Sequence, residues 1–328
     1  MRTPERIVLI DGNNVVRRAH AVWVELVEKR GGPALVNSSG LPIGLIQGTL
    51  GMLSDWLPSF RRPTRIVFFK DGTSRRRREI DPGYKFREPK DFGSGSVEYR
   101  LSDGHVVNGD LAVIDHVLRL LGVDICYLPD EEADDLIASF IRASDPGTIH
   151  FIVSSDKDFY QLVGDNVIQY RPGLEGNRFF DPERVESDFG VAPEHVRMFK
   201  SLTGDVTDTY KGVFRIRKKV ASLLSKNPNP AAMYSSDLSM CSKLERQRLL
   251  DSRSRVETNF ILAGMKDDVD LTNAISPGSE DFTTASTVLR GLEITGVDPS
   301  SFRTRHGGFS VTSEPPLDFI SPDLFSDL

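Results

Sequence analysis

His150-Phe151-Ile152-Val153-Ser154-Ser155-Asp156-Lys157-Asp158 is a short apolar run that ends in carboxylates. A run of that length, rich in β-branched and aromatic residues and closed by turn formers, reads as a buried strand rather than a helix. The arrangement recurs upstream, where Ile7-Val8-Leu9-Ile10 runs into Asp11 and Ile66-Val67-Phe68-Phe69 runs through Lys70 into Asp71. Val123-Asp124-Ile125-Cys126-Tyr127 and Val167-Ile168-Gln169-Tyr170 add two more strand signals. Helical periods lie between them, over 110–121 (Leu111, Ile114, Val117, Leu118, Leu121) and 133–141 (Leu136, Ile137, Phe140, Ile141). Near-continuous apolar strands alternating with amphipathic helices predict an α/β domain with a mainly parallel sheet covered on both faces. Ligands of such sheets gather at the strand carboxyl ends, so Asp11, Asp71, Asp156 and Asp158 are predicted to converge.

Beyond Phe180 the strand pattern stops. Helical, basic and turn-rich sequence predicts a second, mostly helical part over 180–272, leaving 1–179 to the α/β part. Residues 273–328 are rich in Ser, Pro and Thr, with one helical stretch over 284–292. They read as an extension ending in a polar, acidic, mobile tail. No internal repeat is found.

With 328 residues, 39% apolar and 27% charged, the composition is that of a soluble globular protein with one large core or two modest ones. The N-terminal stretch lacks the apolar run of a signal peptide, and no segment approaches the roughly 18 apolar residues of a membrane span, so a cytoplasmic protein without a membrane partner is expected. Cys126 and Cys241 stand far apart with no Cys-x-x-Cys, which points to two plain, reduced residues. A net charge of −6 argues at first against a polyanion. The charges are segregated, however: Arg75-Arg76-Arg77-Arg78 and Arg215-Ile216-Arg217-Lys218-Lys219 concentrate the cations, and short clusters concentrate the acids. Such segregation suits a protein that binds metal and polyanion together.

Each acidic cluster has a plain structural reading. Glu131-Glu132-Ala133-Asp134-Asp135 serves equally as the charged first turn of a helix, Asp156-Lys157-Asp158 as a strand-end turn, and Thr203-Gly204-Asp205-Val206-Thr207-Asp208 as a loop. Together they would repel one another by several kcal/mol in a partly desolvated site unless counter-charges intervened. Ligation by oxygen without His or Cys points to Mg²⁺, with Mn²⁺ as a substitute, and the surplus of acids points to two ions. Two ions about 4 Å apart can serve an in-line phosphoryl displacement.

The order of these motifs, with Arg77-Arg78-Glu79, Tyr84-Lys85 and Leu202-Thr203-Gly204-Asp205 among them, resembles the 5′-nuclease family of phage 5′-exonucleases, the N-terminal domain of bacterial DNA polymerase I and flap endonucleases. The stretch from Phe180-Asp181-Pro182 through Phe189-Gly190-Val191 to Phe199-Lys200-Ser201-Leu202 is similar as well. The likeness covers about residues 5–225 and, more loosely, reaches 272. It implies a PIN-like sheet flanked by helices, an arch at about 75–110, a helix-hairpin-helix-like DNA-binding region, and hydrolysis of DNA phosphodiesters to 5′-phosphate products in replication or repair. Carried over residue by residue, Asp11, Asp71, Glu132 and Asp134 would hold the first ion, Asp156, Asp158 and Asp208 the second, with Asp135 and Asp205 nearby and acting through water. Lys85 would offset charge on the scissile phosphate, Arg78 or Arg77 would grip the same or the next phosphate, and Tyr84 would stack an unpaired base. The implied partner is DNA with 5′ ends, 5′ flaps, gaps or branches, bound by a monomeric protein in a bacterial or phage-infected cell.

Two places depart from the family pattern. Arg87 follows Lys85 one residue sooner than usual, which puts its DNA-binding role in question. In Gly212-Val213-Phe214-Arg215-Ile216-Arg217-Lys218-Lys219 two hairpin glycines have become arginines, so Arg215 and Arg217, with Lys218 and Lys219, are expected to reach phosphates directly. A PIN-like ribonuclease and a non-catalytic binder of branched DNA are the alternatives. The Tyr84-Lys85 pair disfavours the first and the complete acid set disfavours the second. Near the C-terminus, Leu324 and Phe325 in Ser321-Pro322-Asp323-Leu324-Phe325 form a candidate docking element for a sliding clamp.

Overall fold

The computed structural model describes residues 4–84, save 26–28, 30, 32 and 33, and residues 97–304, save 177. Lys85, Arg87, the 91–96 part of the expected arch, Leu324 and Phe325 therefore lie outside the described residues.

Strands β1 (Arg6–Asp11), β2 (Arg65–Phe69), β5 (Asp124–Cys126), β6 (Ile149–Val153) and β7 (Val167–Tyr170) form the parallel core of the sheet in the order β5-β2-β1-β6-β7. Antiparallel strands close both edges: β8 (Phe179–Phe180) beside β7, and β11 (Ile275–Ser276) beside β5. A separate hairpin pairs β3 (Glu98–Arg100) with β4 (Val106–Asn108). The chain moves outward from β1 through β2 to β5, then returns to the other side of β1 for β6 and β7. The strand order therefore reverses between β1 and β6, and a crevice is expected at their carboxyl ends.

Period-two alternation divides the strands between two cores. Val8, Ile10, Ile66, Phe68, Phe151 and Val153 face one layer, together with helices α1 (Gly12–His20), α2 (Gly44–Trp56) and α4 (Asp110–Leu120). Ile7, Leu9, Val67, Phe69 and Ile152 face the other, against Leu136, Ile137 and Phe140 of α5 (Ala133–Ala143). All these strand side chains are buried, each contributing about 1.5–3 kcal/mol. Between β2 and the hairpin lies the short helix α3 (Arg75–Ile80), which carries the four-arginine run.

The helical part comprises α6 (Pro182–Phe189), α7 (Val196–Thr203), α8 (Lys218–Leu224), α9 (Pro230–Ser235), α10 (Lys243–Asp251) and α11 (Arg253–Leu262). Its apolar cluster includes Tyr160 and Val163 from the α/β part, so the expected boundary at 179/180 does not separate two cores. α6 starts on the Asp181 cap with Pro182 at its first position and stops at Gly190, whose φ is 92°. Between α7 and α8, β9 (Gly204–Asp205) pairs with β10 (Tyr210–Lys211).

The expected C-terminal extension needs correction. Ile275 and Ser276 add a strand to the sheet, and helix α12 (Phe282–Gly291) buries Ala285, Val288 and Leu289 in the first core, so residues 275–304 complete the α/β part. The polar composition hid this, because short segments were enough to fill the remaining edge. Among the described residues no helix is long and apolar enough to cross a membrane.

Candidate metal centre

The carboxyl ends of β1, β2 and β6 supply the first three acids. Asp11 caps α1, accepting from the backbone N–H of Asn14 at 3.1 Å, and its second oxygen accepts from Ser154 Oγ at 2.7 Å. Gly12 follows because a Cβ there would overlap the Phe68 ring and the Phe69 carbonyl. Asp71 accepts from Asn13 Nδ2 at 2.5 Å and from the N–H of Ala133 at 2.8 Å, which joins the end of β2 to the first turn of α5 between Glu132 and Asp134. Asp156 caps the turn after β6, accepting from the N–H of Asp158 at 2.9 Å. Burial first, then the charges of Asp71 and Asp156, push the Asp11 carboxyl up from 3.8 to about 7. These three acids therefore share one electrostatic site, and among the described residues no cation touches Asp11 or Asp71.

Two further triplets flank it. One oxygen from each of Glu132, Asp134 and Asp135 falls within 4.8 Å of the others, and the same holds for Asp158, Asp205 and Asp208. The first triplet surrounds Arg77, which pairs with Glu132 and binds Asp135 through both terminal nitrogens at 2.9 Å, with Asp134 at 3.5 Å. Arg77 also donates to the carbonyls of Leu262 at 3.2 Å and Gly264 at 3.3 Å. Burial opposes its charge, but Asp134, Glu132 and Asp135 outweigh it and raise its pKa further. Asp135 goes up through its own burial despite Arg77, and accepts from the N–H of Lys266 at 2.7 Å. In the second triplet, Lys200 of α7 reaches Asp158 and lies 2.6 Å from Asp205. Asp205 also accepts from the N–H groups of Thr207 at 2.7 Å and Asp208 at 3.2 Å. Burial works against its charge, but Lys200 and these N–H groups hold it below the usual carboxylate range.

The predicted cation roles divide. Arg77 is only 2% exposed, and its whole guanidinium is committed to acids and carbonyls, so the expected contact with DNA is corrected to an internal clip between α3, α5 and the end of α11. Tyr84 is likewise 2% exposed, packed with Tyr210, Leu262 and Ala263, and cannot offer its ring to a base as expected. Arg78 is exposed on α3, as are Arg215, Arg217, Lys218 and Lys219 around the start of α8. Arg217, however, is bound bidentately to Glu245 at 2.7 Å for both contacts, which corrects the expectation that both replacement arginines face phosphate. Arg215 adopts a φ of 52° and lies over the exposed ring of Phe214.

Lys200, Asn13, Asn14 and Ser154 were missed as parts of the site. Asn13 and Asn14 stand directly after Asp11-Gly12, where residues beside a strand-end acid are its first candidates for orientation. Lys200 gave no local signal, because its partners lie 42 and five residues away and meet only in the folded chain.

A carboxylate set with no His or Cys, in which burial and then the charges of Asp71 and Asp156 drive Asp11 toward neutrality, fits hard divalent cations. A doubly wound sheet bearing such a centre at its switch point, with Arg215, Lys218 and Lys219 exposed on the helical part, suits chemistry on a phosphodiester. The 5′–3′ exonuclease N-terminal resolvase-like domain matches residues 6–190, more than half of the chain. The 5′–3′ exonuclease of Aquifex aeolicus is 27% identical over 266 residues, covering 81% of this chain and 83% of that protein. DNA polymerase I of Mycobacterium tuberculosis is 29% identical over 226 residues, covering 67% of this chain and 23% of the polymerase, so the chain spans only about a quarter of that relative. The T5 D15 protein, solved with metal ions, shares the fold at a TM-score of 0.57 and 16% identity, over 91% of this chain and 97% of that one. The chain belongs to the 5′–3′ exonuclease family, and it is a nuclease.

Proposed function

We propose that the chain is a divalent-metal-dependent 5′-nuclease acting on DNA, with 5′ ends, 5′ flaps and gapped or branched duplexes as substrates and 5′-phosphates as products. The observation that carries the reading is the shared site of Asp11, Asp71 and Asp156 at the switch between β1 and β6, with the Glu132 and Asp158 triplets on either side. Asp11, Asp71, Glu132 and Asp134 would hold one Mg²⁺, and Asp156, Asp158 and Asp208 a second, with Mn²⁺ able to substitute. Such ions polarise the scissile phosphate and acidify water.

The chain's own residues set the geometry. Ser154, Asn13 and Asn14 orient the strand-end acids, and Asp71 is locked to the first turn of α5 through Ala133. Arg77 fixes Asp135 and Glu132, while Lys200 fixes Asp205 and Asp158, so the acids are positioned before substrate arrives. Exposed Arg78, Arg215, Lys218 and Lys219 are among the cations open to phosphates, and Lys85 would offset charge at the scissile one. We further read the protein as a cytoplasmic monomer whose Leu324 and Phe325 engage a sliding clamp. A pull-down comparing the intact chain with its Leu324→Ala, Phe325→Ala variant tests the clamp contact, which equal recovery would remove. For the activity, the protein is incubated with a 5′-flap and with a gapped duplex, in Mg²⁺ and in EDTA. Metal-dependent release of 5′-phosphorylated fragments is expected, and cutting that persists in EDTA would overturn the metal assignment.

A further inference from the structure

We infer that Asp103, His105 and His116 form a second metal site, separate from the acidic centre and built for a borderline divalent cation of the zinc class. Asp103 and His105 lie in the turn of the β3–β4 hairpin, and His116 projects from α4. The turn is fixed by its own backbone: Gly104 reverses the chain with a φ of 90°, the N–H of Leu101 donates to the His105 carbonyl at 2.8 Å, and the N–H of His105 donates to Asp103 Oδ1 at 3.1 Å. Ser102 Oγ donates to the Thr287 carbonyl at 2.9 Å, tying the hairpin tip to α12. The three side chains thus meet on a framework held from two helices rather than on a free loop.

Their geometry is that of converging ligands. Asp103 Oδ2 lies 2.7 Å from His116 Nε2, and Oδ1 lies 3.3 Å from His105 Nδ1, so each carboxylate oxygen faces a different ring. The two rings are 4.6 Å apart, centre to centre, and one ligand atom from each of the three residues falls within 4.8 Å of the others. An ion pair between Asp103 and one histidine would need only one ring. The Asp103–His116 hydrogen bond leaves the second ring, that of His105, without need of so close an approach, whereas one cation between the rings satisfies both nitrogens and the carboxylate together. The Asp103 and His116 side chains are 8% and 18% exposed, while that of His105 is 64% exposed, so the site has a closed wall and one open side. Three protein ligands with an outward position for water is an arrangement zinc accepts. The ligand set also separates the two centres chemically. Two imidazoles and one carboxylate favour Zn²⁺, Co²⁺ or Ni²⁺, whereas the all-oxygen centre favours Mg²⁺ or Mn²⁺. A bound ion here would pin the hairpin to α4.

The test uses the full chain, stripped with chelator and then held in excess Mg²⁺ so that the acidic centre is filled. Zn²⁺ is titrated calorimetrically, and Co²⁺ is followed by visible absorption. Uptake of about one Zn²⁺, ligand-field bands from nitrogen-bound Co²⁺ and a rise of a few degrees in Tm are expected. His105→Ala and His116→Ala should each weaken Zn²⁺ binding by at least ~10-fold and remove the Tm rise, while flap cutting in Mg²⁺ persists. His105→Ala, at the exposed position, keeps the test clear of folding defects. Failure to take up Zn²⁺ in the presence of Mg²⁺, or uptake unchanged in both variants, would overturn the site.

Discussion

The ammonium of Lys200 lies 2.6 Å from the carboxylate of Asp205 and also reaches Asp158, so a single buried cation from α7 joins the turn after β6 to the end of β9. Its neutral replacement should show what that charge does. Lys200→Met leaves two partly buried carboxylates facing each other. The variant should lose about 3–5 kcal/mol of stability in EDTA, with part of the loss recovered in Mg²⁺. Denaturant melts with and without metal check this, and an unchanged midpoint in EDTA would refute it.

Asp11 predicts a pH dependence in the metal-free protein. Its folded pKa of about 7 lies above the ordinary 3.8, so the folded state holds this proton more tightly than the unfolded chain does. The associated stability is fully present below about pH 3.8, falls as the pH climbs, and is gone above about pH 7; its size is on the order of a few kcal/mol. Asp11→Asn, which keeps the helix cap, should therefore be more stable than the parent at pH 8 in EDTA. It should also flatten the stability profile between pH 4 and 7. Identical profiles for the two proteins would exclude a raised Asp11 pKa in the folded state.

At the ligands themselves, Asp134→Asn and Asp156→Asn remove a charge without removing an apolar contact. Cutting of a 5′-flap substrate should fall by a factor of about 100 or more, while Tm in EDTA holds or rises. Turnover close to the parent's in either variant would remove that residue from the centre.

Arg77→Ala separates the internal clip from a DNA contact. Glu132 and Asp135 lose the buried guanidinium that balances them, so stability should drop by about 3–5 kcal/mol. The salt dependence of duplex binding, measured where the variant is still folded, should keep its slope. A shallower slope would return Arg77 to the DNA interface.

The two hairpin arginines should behave differently. Arg215→Ala is expected to make the slope of log affinity against log salt shallower by about one unit, whereas Arg217→Ala should change it little. Arg217→Ala should instead release Glu245, whose carboxyl the Arg217 contacts and the Ser242 cap now hold down at about 2. Equal slope changes for the two variants would mean that Arg217 leaves Glu245 for phosphate on binding.

Much of this protein was set by local sequence. Ile7 to Ile10, Ile66 to Phe69 and Val167 to Tyr170 are apolar runs closed by turn formers, and their period of two leaves no other way to bury both faces. Because they are parallel, their carboxyl ends share one edge, so Asp11, Asp71 and Asp156 are legible in the sequence as neighbours. Tertiary structure alone decided which charges neutralise one another. Arg77 belongs to a run of four similar residues, and only its place on α3, facing the first turn of α5, turns it inward while Arg78 stays outside. Ile275 reads as part of a polar extension and becomes an edge strand because Cys126 leaves a hydrogen-bonding edge open. Side-chain type and period are properties of a few neighbouring residues, whereas burial of a charge depends on partners far away in the chain, and those meet only when the sheet and the helical part are packed together.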